Sequence, residues 1–424
     1  MRDRRRKFDV LVIGAGPAGI AAACCAAEIG APVGLVDNNA RAGGQIWRGG
    51  RDHPLAPDTE KWYARLEASS VEFLPGTEVF CQAEARCLAA ESPRGSCELA
   101  YEKLILCTGA RERFLPFPGW TLPNVLGAGG LQALVKSGLS VEGKKVVIAG
   151  SGPLLMAVAA YLCEHGGDVR LIAEQAPWSR LLRFGLSLMA HGRKAMQAYQ
   201  LKRQLRGIPF RAGCWLIAAQ GNGKLERVTL RSGNKTWEEP CDYLACGFHL
   251  VPNTELAVLL GCELRAGFVR VDNLQQTTVP AIFCAGEPTG IGGLELAVVE
   301  GQIAGYAAAG QLDNAREHFA ERDRLRHFSI SLQHTFSLRA ELASLSSPDT
   351  IICRCEDVSF SRLRAHSSWR AAKLHTRCGM GPCQGRVCGP AVEFLFGWEV
   401  ESVRPPIFPV SVGHLTETVG AAHE

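Results

Sequence analysis

No Cys-x-x-Cys pair occurs anywhere in this chain of 424 residues, although it carries 17 cysteines. Dithiol–disulfide exchange needs such a vicinal pair, so the chain is not a disulfide reductase. Cys24 and Cys25 are adjacent in an apolar helical run and offer no substitute. An odd number of cysteines spread over the whole chain argues against a disulfide framework and for a reducing compartment. Most of the isolated ones sit in apolar contexts, where cysteine is a small core hydrophobe. Charge of one sign is also missing. The net charge of +4 excludes a nucleic-acid binder driven by electrostatics. No Ser–His–Asp set and no paired carboxylates stand out. His191, His334 and His414 lack spaced partners and read as structural or exposed. Long apolar runs are absent but for Val10–Ala27, 18 residues at the lower limit of a membrane span. Gly14, Gly16, Pro17 and Gly19 interrupt it, so strand, turn and helix explain it better. The basic run Arg2–Lys7 reads as a solvated lead-in, because Phe8–Ile13 already begins a nucleotide fold and no small-residue cleavage site follows.

What is present is ample apolar content, 47%, and 46 glycines, enough for two or three domains. Phe8–Ile13 reads as a buried parallel strand, Ala18–Ile29 as a helix and Val33–Val36 as a second strand, a βαβ unit. Residues 40–60 read as loop. Leu104–Cys107 is a further short strand. A second βαβ unit begins at Lys145–Ala149, passes through a helix near Leu154–Cys163 and returns at Val169–Ala173. The two copies read as two domains rather than a solenoid. Ala281–Ala285 is a later strand, followed by a helix from Leu294 to about Ala309. Residues 311–345 look helical and polar on one face, Ser346–Asp349 reads as a linker, and Arg404–Pro409 begins an extended tail.

Gly14-Ala-Gly16-Pro17-Ala18-Gly19 follows a strand and opens a helix. The glycines serve a tight turn, the approach of a pyrophosphate and helix–strand packing, and the pyrophosphate sits on the helix N-terminus. Asp37, with Asn38 beside it, closes the second strand where a carboxylate accepts from ribose hydroxyls. The combination predicts a dinucleotide site. Gly150-Ser-Gly152-Pro153-Leu154-Leu155 repeats the fingerprint, with Glu174 closing the next strand. Here the third glycine is Leu155, whose branched side chain is expected to push the helix away from the strand. Glu174 would repel a 2′-phosphate, which disfavours NADPH. The second fold is left with three readings: NAD(H), an adenine nucleotide in a structural role, or no ligand.

The last quarter carries Cys353-Arg-Cys355 and, 28 positions on, Cys383-Gln-Gly-Arg-Val-Cys388, with Cys378 as an alternative ligand. Two tight thiolate pairs make a soft-metal site for an iron–sulfur centre or zinc. Cys-x-Cys is not the usual zinc spacing, which favours iron. Gly379-Met-Gly-Pro382 supplies a tight turn, and Lys373, Arg377 and Arg386 flank the site, either offsetting cluster charge or simply solvated. An electron store beside nucleotide folds implies one-electron relay rather than hydrolysis or transport. Trp47 and Trp120 read as core or interface.

Gly43-Gly44-Gln45, Cys107-Thr108-Gly109-Ala110 and Ala285-Gly286-Glu287 resemble the flavin-contacting segments of the thioredoxin-reductase-like flavoproteins. That resemblance implies FAD, an α/β fold of two Rossmann-like domains, and a flavin domain split around the second one: residues 1–118 and 248–330 around 119–247. It also implies that the backbone at Glu287 and Gly293, ahead of Leu294, faces the ribityl chain and ring, and that His249 approaches the isoalloxazine or serves in packing. Cys353–Asp357 with Lys373–Cys388 resembles the bacterioferritin-associated-ferredoxin type of 2Fe–2S domain, here residues 350–400 after a helical linker at 331–349 and before a tail at 401–424. The order of motifs over nearly the whole chain is similar to that of the alpha subunits of heteromeric amine dehydrogenases, the opine oxidase, D-hydroxyproline dehydrogenase, dye-linked proline dehydrogenase and hydrogen cyanide synthase family. The resemblance implies an oxidoreductase subunit that passes electrons to a respiratory acceptor. It implies a beta subunit like D-amino-acid oxidase that oxidises the amine. In some members it adds an FMN at a subunit interface and a small ferredoxin-like third subunit. It places the chain in the cytoplasm, at most peripheral to the inner membrane. The rivals are a self-sufficient NADH-dependent acceptor reductase and a nucleotide-binding scaffold with a zinc site.

Overall fold

The computed structural model describes residues 5–47, 57–189, 192–399 and 403–419. Arg2 to Arg4, His191 and part of the 40–60 loop fall outside them. The chain divides into two compact units, residues 1–111, 252–329 and 401–424, and residues 112–251 and 330–400. The first unit is thus split in sequence, with boundaries at 111 and 252. The cysteine module folds within the unit of the second nucleotide fold, and the tail with the first.

The first unit is built on a sheet whose strands run in the order Glu72–Leu74, Val33–Val36, Arg5–Ile13, Gly95–Leu106, Cys87–Ser92, Glu78–Glu84, with Ile282–Cys284 also paired to Gly95–Leu106. The strands around Arg5–Ile13 are parallel, as Val/Ile/Leu runs buried on both faces require. The strands from Glu78 to Leu106 form an antiparallel meander. Helix Pro17–Ala27 is buried along its whole length. It packs on helix Leu294–Ala308, where a Cβ on Gly301 would stand 2.2 Å from the Ala18 carbonyl oxygen and one on Gly305 2.3 Å from that of Ala22. Small residues four apart on both helices let the backbones meet. The tail is held by the Ile407 amide, which donates to the Phe80 carbonyl at 2.8 Å, and ends in helix Val412–Val419.

The second unit carries a five-stranded parallel sheet, in the order Phe210–Ala212, Asp168–Glu174, Lys145–Ser151, Tyr243–Phe248, Val125–Gly127. A three-stranded antiparallel sheet from Cys214 to Pro240 joins it. The stretch 311–345 is not one helix. Helices Leu312–Glu317 and Phe319–Phe336 give way to an irregular segment and a 3₁₀ turn at Ala340–Ser344. The cysteine module is a two-stranded hairpin (Ile351–Cys353, Val358–Ser359) with three helices, Phe360–Arg364, Trp369–Thr376 and Cys388–Phe396. Its core is Ile352, Val358, Leu363, Trp369, Ala372 and Val392. The buried Trp120 donates its Nε1–H to the Ile351 carbonyl at 2.5 Å, tying the module to its own unit.

Candidate cofactor sites

In the first unit two of the fingerprint glycines, Gly14 and Gly19, are fixed by a close approach. A Cβ on Gly14 would lie 2.2 Å from the Cys107 carbonyl oxygen, and one on Gly19 1.7 Å from that of Gly14. Gly16 differs: a Cβ there would meet only the Gly44 Cα, at 4.0 Å. That opening lies at the N-terminus of helix Pro17–Ala27, where a pyrophosphate is cradled. The Gly43 amide donates to the Ala15 carbonyl at 2.7 Å, which draws the Gly43–Gln45 loop onto the fingerprint. Asp37 is buried, and its carboxylate accepts from the Ala15 amide at 2.6 Å and from the Asn39 amide at 2.8 Å. Asn38 turns to Glu78 instead, at 3.2 Å. At the strand end, Thr108 and Asn253 are cross-linked, the Thr108 hydroxyl donating to the Asn253 carbonyl at 2.5 Å and the Asn253 amide group to the Thr108 carbonyl at 2.9 Å. Gly109 then turns with φ +68°, and a Cβ on it would meet nothing, leaving room before Ala110.

Gly286 (φ +81°) and Gly293 (φ +80°) bracket the Glu287 turn ahead of Leu294. Three residues that sequence reasoning missed hold this turn. Glu300 accepts from the Gly286 amide at 3.1 Å and from the Thr289 hydroxyl at 2.7 Å, and pairs with Arg326 at 2.8 Å. The sequence signal was a carboxylate in the interior of an otherwise apolar helix, where an ion is stable only if paired. Glu287 itself accepts from the Gly293 amide at 3.2 Å through Oε1, while its buried Oε2 and the buried Trp47 Nε1 have no partner among the described residues. Burial pushes the Glu287 carboxyl up to about 7. Buried polar atoms left without partners are the mark of a missing ligand. These orphans, the opening at Gly16 and the acidic strand end fit a flavin dinucleotide.

The second fingerprint is built like the first, then closed. A Cβ on Gly150 would lie 1.9 Å from the Gly247 carbonyl oxygen, while at Gly152 there is room. Leu155, expected to force the helix outward, is instead buried in the space a side chain on Gly247 would need, 2.7 Å from the position of its Cβ. Pro153 precedes helix Leu154–Glu164, and Leu154 is exposed. Glu174, 2% exposed, accepts from the Gly152 amide at 2.8 Å and the Ala176 amide at 2.8 Å. Burial pushes its carboxyl up to about 7, against the pull of those hydrogen bonds. Across the strand ends lies the chain's own segment Phe336–Arg339. The Phe336 carbonyl oxygen lies 2.9 Å from the Ser151 hydroxyl, 3.3 Å from Gln175 Nε2 and 2.6 Å from His249 Nε2. The Arg339 amide donates to Gln175 Oε1 at 2.9 Å, and Arg180 to the Ser337 hydroxyl at 2.8 Å. A carbonyl only accepts, so His249 is the Nε2–H tautomer; burial pulls its pKa down. His249 thus spends its Nε2 proton on this segment.

In the cysteine module the Sγ atoms of Cys353, Cys378 and Cys388 all lie within 4.8 Å of one another, and all three residues are buried. Cys355 Sγ lies 3.7 Å from Cys383 Sγ. Cys378, an alternative by sequence, therefore stands with Cys353 and Cys388 in a buried trio, while Cys355 and Cys383 form a separate pair; the four sulfurs expected from spacing are split between these two groups. Hydrogen bonds from the Cys378 and Cys388 thiols, with the Gly379 and Glu356 amides, draw the Cys353 thiol down to about 2. The shared proton pushes Cys378 up to about 12 and Cys388 up as well. Gly381 is required because a Cβ there would lie 2.3 Å from that of Cys355. Of the flanking cations, Arg377 is paired with Glu356 at 2.8 Å and Arg386 donates to Gln384 at 2.9 Å. The remaining cysteines behave as core. Cys24 and Cys25 are pushed up to about 12 and about 11 by burial, and all 17 are free.

The profile of the pyridine nucleotide-disulphide oxidoreductase family matches residues 8–312. The A subunit of opine oxidase from Agrobacterium tumefaciens is 31% identical, with 98% of this chain and 93% of that protein covered. The hydrogen cyanide synthase subunit HcnB of Pseudomonas aeruginosa is 32% identical, with 89% and 90% covered. Among solved structures, L-proline dehydrogenase from P. horikoshii superposes with a TM-score of 0.68 at 20% identity, over 98% of this chain and 80% of that one. Thioredoxin reductase of T. acidophilum does so with 0.57 at 22%, over 72% and 98%; both show the shared fold. Among the described residues no helix is long and apolar enough to cross a membrane. The chain belongs to the pyridine nucleotide-disulphide oxidoreductase family, as a flavin-dependent oxidoreductase subunit of the type found in opine oxidase and hydrogen cyanide synthase.

Proposed function

We propose that this chain is the FAD- and 2Fe–2S-bearing electron-transfer subunit of a heteromeric dehydrogenase for an amino acid, hydroxyproline or opine-type secondary amine. Its acceptor is respiratory, and it works in the cytoplasm. The observation that carries the reading is a buried trio of cysteine sulfurs, Cys353, Cys378 and Cys388, and a second sulfur pair, Cys355 and Cys383, within the small C-terminal module. A 2Fe–2S centre takes four thiolates. Cys355 with Cys383 would supply one pair and the buried trio the other, with one trio member left as a hydrogen-bonding neighbour. FAD exchanges electrons singly or in pairs and the cluster moves one at a time, which is the chemistry these groups supply when bound.

The chain's residues do the rest. The fingerprint turn at Gly14–Gly19 would hold the pyrophosphate, Asp37 would take the ribose, and the Gly286–Gly293 turn, braced by Glu300, would hold the ribityl chain. Burial shields the sulfurs of Cys353, Cys378 and Cys388 from water, while Cys355 is exposed. Amine oxidation falls to a partner resembling D-amino-acid oxidase, with a small ferredoxin-like subunit or an interfacial FMN as further components. The relatives' names support a subunit role, since each of the two, from opine oxidase and from hydrogen cyanide synthase, is one subunit of an enzyme.

Iron and acid-labile sulfide analysis with an EPR spectrum of the reduced protein tests the cluster. Two irons and two sulfides per chain are expected, with a rhombic or axial signal on reduction. Zinc without iron would refute it and leave the scaffold reading. Amine-dependent dye reduction is expected only when the partner chain is present.

A further inference from the structure

We infer that helices Trp178–Leu188 and Gly192–Gln204 of the second unit form a docking surface for an anionic lipid bilayer. This stands apart from the cofactor assignments.

The first of these helices has two apolar faces. Leu181, Phe184 and Leu188 turn inward and are half-buried, with the Phe184 ring edge-on to Phe336 at 5.5 Å. Trp178, Leu182, Leu186 and Met189, spaced i, i+4, i+8, i+11, turn outward and are 56–70% exposed. The second helix adds Met196 and Tyr199, both more than half exposed. Four large side chains on one helical stripe, extended by two more, exceed the scattered apolar exposure of ordinary surfaces and mark an interaction site.

Charge identifies the occupant. From Gln175 to Leu225 the sequence contains no aspartate or glutamate. The same stretch holds exposed Arg180, Arg183, Lys202, Arg203 and Arg206. A surface meant for water, or for a partner of mixed charge, carries both signs. A stripe of Trp, Leu and Met whose own stretch of chain carries cations and no carboxylate has the composition of a helix that lies in a lipid interface. Leu and Met would enter the acyl boundary, the Trp178 and Tyr199 rings would sit at headgroup depth, and the long cationic side chains would snorkel to lipid phosphates. Each cation near an anionic surface contributes about 1 kcal/mol, a factor of about five in partition.

The test is cosedimentation of the full-length purified chain with vesicles of phosphatidylcholine, with and without one quarter phosphatidylglycerol. Partition onto the anionic vesicles is expected, weakened by high salt and absent on phosphatidylcholine alone. Leu182→Ser with Leu186→Ser is expected to lower partition at least about tenfold with melting temperature and flavin content unchanged, since both side chains face water. If that variant fails to fold, Arg183→Gln with Lys202→Gln and Arg203→Gln is expected to lower it by two orders of magnitude or so. Absence of wild-type binding, equal binding to both vesicles, or partition unmoved by the variants overturns the inference. So does a wild type that forms larger oligomers through this stripe or holds a partner chain there in place of lipid. Iron content and vesicle binding fail independently, so the two readings are judged apart.

Discussion

The closed second fingerprint makes a strong prediction: NADH does not reduce this protein. Added anaerobically, it is expected to leave the flavin absorbance unchanged over minutes, and titration calorimetry is expected to show no NADH heat. The obvious repair, Leu155→Gly, restores the fingerprint sequence but not the site. Segment Phe336–Arg339 still occupies the strand ends through Ser151, Gln175, His249 and Arg180. The substitution removes a side chain 1% exposed, which costs about 3–5 kcal/mol from lost burial and the cavity left against Gly247. Added backbone freedom of glycine contributes about 0.5 kcal/mol more. A drop in melting temperature of roughly ten degrees is expected. Fast flavin bleaching by NADH in the wild type would refute the reasoning and establish the NADH-dependent reductase. A Leu155→Gly chain that melts like the wild type and binds NADH would show that the segment is no barrier.

Other outcomes follow from particular residues. Arg326→Ala leaves Glu300 buried without its cation; a loss of about 2–4 kcal/mol is expected in denaturant melts, with flavin released at lower denaturant as the Gly286 turn loosens. Gly301→Val places carbon 2.2 Å from the Ala18 carbonyl oxygen, so little soluble flavinated protein is expected on expression, while Gly310→Ala, with nothing near its Cβ, should cost about 1 kcal/mol through its positive φ. Glu287, held at about 7, opposes folding when ionised. Its folded pKa exceeds the unfolded value, so stability of the flavin-free chain is highest below pH 4.5 on this account and falls as pH rises through about 7; Glu287→Gln should flatten that slope by up to about 3 kcal/mol. Serine replacement at Cys355 or Cys383 should abolish the EPR signal, and comparing Cys378→Ser with Cys388→Ser should identify the trio member that is not a ligand.

Both βαβ units were legible because continuous Val/Ile/Leu runs bounded by glycine turns have few alternatives. Val33–Val36 emerges with the bounds read from sequence, and Lys145–Ser151 within two residues. The meander from Glu78 to Leu106 was not legible: its strands alternate weakly, and only the buried end at Leu104 announced itself. The 311–345 stretch misled because Arg and Glu at helical spacing continue past the point where Ser337 leaves the helix, and nothing local signals that the Phe336 carbonyl has found three partners elsewhere. Likewise the braces of the flavin turn, Glu300 and Arg326, are far apart in sequence and carry no motif. In the cysteine module the spacing singled out two pairs, yet Cys378 joins Cys353 and Cys388 through the left-handed turn at Arg377 (φ +66°), a conformation that arginine does not advertise.

The crossing of helices Pro17–Ala27 and Leu294–Ala308 has a consequence for how this sequence can drift. At Gly301 and Gly305 the limit is set by volume alone, since even a methyl group collides with a peptide oxygen. Variation across natural copies should therefore be frozen at these two sites. A lineage could change the chemistry its cofactor sites serve without touching this pair.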